Sequence, residues 1–234
     1  MARMKIIFTT LAAVFTAQIV FAGDITGTVH AEPKAGTEQN SAAAGGAYAS
    51  RKFKFVEKVD YAAMRDFVVA IEGPVGTNNI STNVVQVTTT RVAQQGATFT
   101  PHILPVMVGT KVEWPNHDDI FHNVFSDSEP ARFDLDLYKG NPPNKNVVFD
   151  KPGKVDVYCS IHANMHCVVL VMENPYFAMT DADGHFTITN VPPGTYKLKA
   201  WHERLPADEC EITVPATGAT NVDFTLTIKN LPKH

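Results

Sequence analysis

The sequence predicts an all-β fold of the sandwich type, on two observations. From Asn83 onward the chain runs through "NVVQVTTTRV", "ATFTPHILPVMVGTKVEWPN", "NKNVVFDKPGKVDVYC" and "HCVVLVMEN", all rich in valine, threonine and aromatics and parted by glycine, proline and asparagine. β-Branched and aromatic side chains suit a pleated, half-buried surface, and the residues between them turn the chain, so these are short strands of a β-sandwich. From Pro175 the pattern tightens into "YFAMT", "HFTIT", "YKLKAWH", "CEITV" and "NVDFTLTI", with "DADG" and "VPPG" as turn punctuation. Helical periodicity is scarce throughout.

Taken in order, the chain opens with Arg3 and Lys5, an apolar run from Ile6 to Phe21, and Val20 and Ala22 at the small-residue positions of a cleavage site. That pattern predicts a signal peptide over residues 1–22. The run is shorter than the roughly 20 residues of a membrane span, and no basic flank follows it. The mature chain is expected to begin near Gly23, in the periplasm or outside the cell, with no further segment apolar enough to cross a bilayer. Loss of Arg3 and Lys5 lowers the formal net charge from −4 to −6, which argues against nucleic acid as a partner. "GDITGTV", from Gly23, alternates as a strand; Ala31 to Ser50 is small and polar and reads as a mobile insertion. A short amphipathic piece covers Val56 to Met64, and "RDFVVAIEG", Arg65 to Gly73, is a further strand ending in the punctuation "GPVGTNN".

The chemistry concentrates in "YCSIHANMHCV", Tyr158 to Val168, which offers Cys159, His162, Met165, His166 and Cys167 without a lysine, arginine or carboxylate. His122, in "NHDDIFHNVFS", lies 37 residues before Cys159. Two imidazoles and one thiolate near a plane, with a weak axial sulfur, make a mononuclear copper centre for electron transfer. His122, Cys159, His162 and Met165 complete that set, with His166 as the alternative axial donor. Zinc fits less well, because no Cys2His2 spacing is present and a thioether is a poor zinc ligand. A nucleophilic Cys159 with His162 as base lacks an orienting acid in the loop, so an enzyme is not expected. His117 reads as a turn residue beside Asp118 and Asp119, and His102 as a packed or hydrogen-bonded one.

On these residues Val106 to Met172 resembles the cupredoxins, the family of plastocyanin, pseudoazurin and amicyanin. "GTKVEWPN", "HNVFS" and "FDKPGKVDVYC" match its consecutive segments, and the Cys-x2-His-x2-Met loop is most similar to that of amicyanin. The resemblance implies a Greek-key sandwich binding one mononuclear copper ion, with His122 and His162 as equatorial nitrogens, Cys159 as thiolate and Met165 as axial sulfur. It also implies that Asn123 ties the two ligand loops together and that the His162 edge passes the electron. An axial His166 would instead give a red-copper-like site. The function implied is an exported carrier of single electrons; the alternative is a copper-binding, delivery or interaction protein. Similar proteins labelled as methylamine-utilisation proteins suggest cytochrome c or a periplasmic dehydrogenase as redox partners.

The C-terminal stretch "TDADGHFTITNVPPGTYKLKAWHERL" resembles the carboxypeptidase regulatory-like domain, a transthyretin-like sandwich without catalytic role in most copies. Its "DADG" lacks the further ligand positions of a calcium loop and reads as a hairpin turn, while His202 reads as structural or surface. Such a sandwich needs about seven strands, whereas Pro175 to His234 offers five. A "G-x-I-x-G-x-V" strand and one ending near "EG" are the two missing, and both stand at the N-terminus as "GDITGTV" and "RDFVVAIEG". The division this resemblance implies is 23–78 and 174–234 as one transthyretin-like unit, with the cupredoxin, 79–173, inserted between them; the alternative is that the N-terminal strands extend the cupredoxin. Three cysteines in an oxidising compartment leave one over; with Cys159 committed to metal, Cys167 and Cys210 are expected to form a disulfide, the alternative being two buried free thiols.

Overall fold

The computed structural model describes residues 22–33, 60–75 and 88–228. Residues 1–21 of the signal peptide expected over 1–22, most of the polar segment from Ala31, most of the amphipathic piece over Val56–Met64 and the first residues of the strand expected from Asn83 lie outside them. The first strands are β1 (Gly23–Glu32), β2 (Val68–Ile71), β3 (Thr89–Arg91), β4 (Ala93–Gln95), β5 (Thr98–Thr100) and β6 (Ile103–Met107). Next come β7 (Thr110–Glu113), β8 (His122–Ser126), β9 (Phe133–Tyr138), β10 (Asn146–Phe149), β11 (Gly153–Tyr158) and β12 (His166–Met172). The chain closes with β13 (Phe177–Met179), β14 (His185–Val191), β15 (Gly194–His202), β16 (Leu205–Val214), β17 (Ala219–Asn221) and β18 (Phe224–Thr227). One 3₁₀ turn, Tyr61–Ala63, is the only helix among the described residues. The class is all-β, as the patterning predicts.

β1 joins an antiparallel neighbour, β14, and runs parallel to β17 and then β18. β2 lies antiparallel between β13 and β15, and β15 pairs with β16. Among the described residues both N-terminal strands thus pair with strands that follow Pro175. Alternation along β1 sends Ile25 and Val29 inward, where they meet Phe67, Val69, Leu198 and Leu226 in one core. The same alternation turns Gly27 inward, where no side chain fits: a Cβ there would stand 1.7 Å from the Val222 carbonyl oxygen. In "DADG" the Asp181 carboxylate accepts the N–H groups of Asp183 and His185, both at 2.9 Å, and Gly184 adopts φ +85°, so this turn is closed by its own backbone.

The second sandwich sets the sheet β6-β12-β11-β8-β9 against β10-β7-β3, with the β4-β5 hairpin beside them. Its core holds Val112, Trp114, Val124, Phe149, Val155 and Val157. β12 is apolar on both faces for a reason. Cys167, Val169 and Val171 enter the core of this sandwich, while Val168 and Leu170 join Val68, Ile103, Met179 and Trp201 in a cluster between the two sandwiches. A strand buried on both sides reads as a continuous hydrophobic run, which is how "CVVLVM" is written.

The disulfide expected between Cys167 and Cys210 is not formed; all three cysteines are free. The pleat decides this. Cys167 registers opposite Val157 and points into the second core, while Cys210 registers opposite Leu198 and packs at the margin of the first. Burial pushes the Cys167 thiol well above its ordinary pKa, so it behaves as a small apolar core residue.

Candidate metal centre

Two strand ends and one loop build the centre. His122 opens β8, paired with Tyr138 of β9, and its ring is fully buried. Cys159 follows the last residue of β11, and the chain then turns back to β12 within seven residues, Cys159 to Met165. That loop is closed by its own backbone: Cys159 N–H donates to the Met165 carbonyl (3.2 Å) and Met165 N–H to the His162 carbonyl (3.0 Å). Cys159 and Met165 are buried, and His162 is half-buried.

The side chains converge. His122 Nδ1 lies 3.0 Å from His162 Nδ1, and Cys159 Sγ lies 4.0 Å and 3.6 Å from those two nitrogens. At its other nitrogen, Nε2, His122 is 2.8 Å from Asp118 Oδ2. A carboxylate accepts, so Nε2 carries the proton and Nδ1 turns its lone pair toward His162 and Cys159. Two imidazole nitrogens and a thiol, facing one another in a buried place without a carboxylate among them, fit a soft or borderline metal ion.

Asp118 is itself fixed. Its carboxylate accepts the backbone N–H groups of Ala97 (2.9 Å) and Gly96 (2.6 Å) in the β4–β5 turn, and these bonds hold it below the usual carboxylate range. Reading His117 as a turn residue beside Asp118 and Asp119 does not reach this role of Asp118; an aspartate four places before His122 is the available signal. Asn123 spans the two ligand segments, since its Oδ1 accepts Ser160 N–H at 2.7 Å and its Nδ2 donates to Asp134 Oδ1 at 2.8 Å. His117 is exposed, and its backbone N–H donates to the Gln94 carbonyl of the neighbouring hairpin.

His166 goes elsewhere. It begins β12 on the face opposite Met165 and Cys167, stacks on Tyr158 with centroids 4.7 Å apart, and sets its two ring nitrogens on Asp156 and Glu203. The structure therefore brings His122, Cys159 and His162 into one cluster and His166 into another, with His102 and Glu203.

Comparison with known families agrees with this architecture. Residues 85–172 match the family of copper binding proteins, plastocyanin/azurin family, and residues 167–227 match the carboxypeptidase regulatory-like domain. Similar solved structures include a Cu-containing nitrite reductase (NirK) from Thermus scotoductus SA-01, at 26% identity and a TM-score of 0.36 over 44% of this chain and 26% of that one. A purple cupredoxin from Nitrosopumilus maritimus matches at 25% identity and TM-score 0.30, over 36% of this chain and 99% of its own. A reduced amicyanin variant matches at 21% and 0.31, over 44% of this chain and 98% of its own. The chain thus spans about a quarter of the length of the nitrite reductase it matches. No curated protein matches the chain. The two family matches describe a segment similar to the plastocyanin/azurin copper-binding proteins followed by one similar to the carboxypeptidase regulatory-like domain. The two matched ranges overlap at 167–172, the segment of β12 that is buried on both faces.

Proposed function

We propose that this chain is an exported, non-enzymatic copper protein that carries single electrons between redox partners. The observation that carries the reading is the convergence of His122 Nδ1, His162 Nδ1 and Cys159 Sγ in a buried cluster. One copper ion bound there would cycle between +1 and +2, its donor set acceptable to both states. The protein's part is to hold those donors still. Asp118 fixes the His122 tautomer, and Asn123 ties the strand that carries His122 to the residue after Cys159. Met165 is the axial donor in this reading, favoured because both ring nitrogens of His166 are engaged with carboxylates.

Burial of His122 and Cys159 limits water, whereas half-buried His162 leaves an edge toward solvent. Next to the two histidines in sequence stand Ile161, Ile120 and Phe121, which are 52%, 48% and 57% exposed. Large apolar side chains left in water mark a surface for transient docking, here of a redox protein such as cytochrome c or a periplasmic dehydrogenase. The division into an inserted cupredoxin, 79–173, and a transthyretin-like unit from both chain ends is supported by the pairing of β1 with β14 and of β2 with β13 and β15. No helix among the described residues is long and apolar enough to cross a membrane. Export rests on the N-terminal pattern of Arg3, Lys5 and the apolar run to Phe21.

The test separates a carrier from a delivery protein. Copper-loaded protein is mixed half oxidised and half reduced, electron self-exchange is followed by NMR line broadening, and copper loss to a chelator is followed in parallel. Fast exchange with retained copper supports the carrier; slow exchange with ready release overturns it.

A further inference from the structure

His166, one place beyond Met165, belongs to a second cluster that spans the two sandwiches. Its Nε2 lies 3.1 Å from Asp156 Oδ1 and its Nδ1 lies 3.2 Å from Glu203 Oε1. His102, just before β6, has Nδ1 3.1 Å from the His166 carbonyl oxygen and Nε2 2.6 Å from Glu203 Oε2. Glu203 sits in the turn between β15 and β16, so the other sandwich supplies the carboxylate.

The geometry makes this arrangement informative. Glu203 meets a ring nitrogen from each of two histidines, one per carboxylate oxygen, and one ligand atom from each of His102, His166 and Glu203 lies within 4.8 Å of the others. The remaining ring nitrogens are engaged elsewhere, His102 Nδ1 with the His166 carbonyl oxygen and His166 Nε2 with Asp156. His102 Nε2, His166 Nδ1 and the Glu203 carboxylate are thereby left facing one another.

We propose that His102, His166 and Glu203 form a second metal site, which takes a divalent first-row ion of the zinc type and clamps the two sandwiches together. Two imidazoles and a carboxylate are a donor set for zinc with a position left to water. The other nitrogen of each ring is anchored as metal-bound histidines are, His102 on a backbone carbonyl and His166 on Asp156, which Lys154 in turn holds at 2.9 Å. The side chains of His102, His166 and Glu203 are 44%, 22% and 24% exposed, so an ion has an entry path. The first cluster differs in kind, having a buried thiol and no carboxylate, and the two share no donor atom. The second site therefore does not rest on the copper reading.

The test is a calorimetric titration of copper-loaded protein, stripped of loosely held metal, with zinc sulfate, together with zinc counting by mass spectrometry. One additional zinc per chain is expected. Glu203→Gln and His102→Ala should each weaken it by at least about 100-fold, beyond the 10- to 100-fold typical of an outer partner, and Asp156→Asn by about 10-fold. His185→Ala, which removes an exposed imidazole on β14, should leave it unchanged. Cys159→Ser should keep it, which separates this site from the copper cluster. Zinc should raise the melting temperature of the wild-type protein but not of Glu203→Gln. Should Glu203→Gln fail to fold, exposed His102 carries the comparison. The proposal falls if no additional zinc binds, if both variants bind it as the wild type does, or if Cys159→Ser alone abolishes it; the cluster is then a set of ion pairs.

Discussion

Met165 and His166 are neighbours in sequence, yet they face opposite sides of the chain, and the two sides differ in chemistry. On one side Met165 lies in the core with Cys159, whose thiol faces the Nδ1 atoms of His122 and His162. On the other, His166 stands at the junction of two sandwiches with a second imidazole, two carboxylates and a path to solvent. The pleat of β12 makes the separation, since consecutive side chains leave a strand in opposite directions. The difference teaches that ligand type alone does not decide a role. Burial with sulfur suits an ion that changes charge with little rearrangement, and half-exposure with carboxylate suits one that only holds parts together.

The comparison can be broken at its support first. Phe149 is fully buried in the core that includes Cys159, and Phe149→Ala is expected to cost about 3–5 kcal/mol. Thermal or denaturant unfolding measures it, and zinc-dependent stabilisation at the junction should persist in whatever fraction stays folded. Next in size are the residues that hold the first ligands. Asn123→Ala and Asp118→Asn are each expected to lower copper affinity by about 10- to 100-fold, read by competition with a chelator, while leaving zinc binding at the junction unchanged. The smallest effect should separate the two neighbours on β12. Met165→Ala is expected to keep copper but shift its potential and EPR signature, because an axial sulfur bond is weak. His166→Ala should leave that signature alone; a change there, with none in Met165→Ala, would transfer the axial role to His166.

Much of this was legible in the sequence, and the reasons differ from place to place. His122, Cys159 and His162 were readable because a short loop and one strand end carry them, so spacing nearly fixes their meeting. The all-β class followed from "VVLVM"-like runs and from Asp-Gly and Pro-Gly turns. The pairing of β1 with β14 joins residues more than 150 apart, yet "GDITGTV" announced a strand whose Gly27 must pass close to the Val222 backbone. Asp118 was not legible, because its restraint comes from the β4–β5 turn about twenty residues earlier and the sequence shows only two exposed-looking aspartates. The direction of Cys167 was not legible either. One residue of register decides whether a side chain faces the core or the junction, and only the pairing Val157 to Cys167 fixes it. The cluster of His102, His166 and Glu203 draws on three distant segments and leaves no local pattern at all.

The central claim is that Cys159 binds copper as a thiolate between His122 and His162, and its most direct test is a visible absorption spectrum of the purified protein loaded with one equivalent of copper(II). The wild-type protein should show an intense thiolate-to-copper charge-transfer band that ascorbate bleaches and Cys159→Ser abolishes. A colourless loaded wild type, or a band that survives in the serine variant, would contradict the claim.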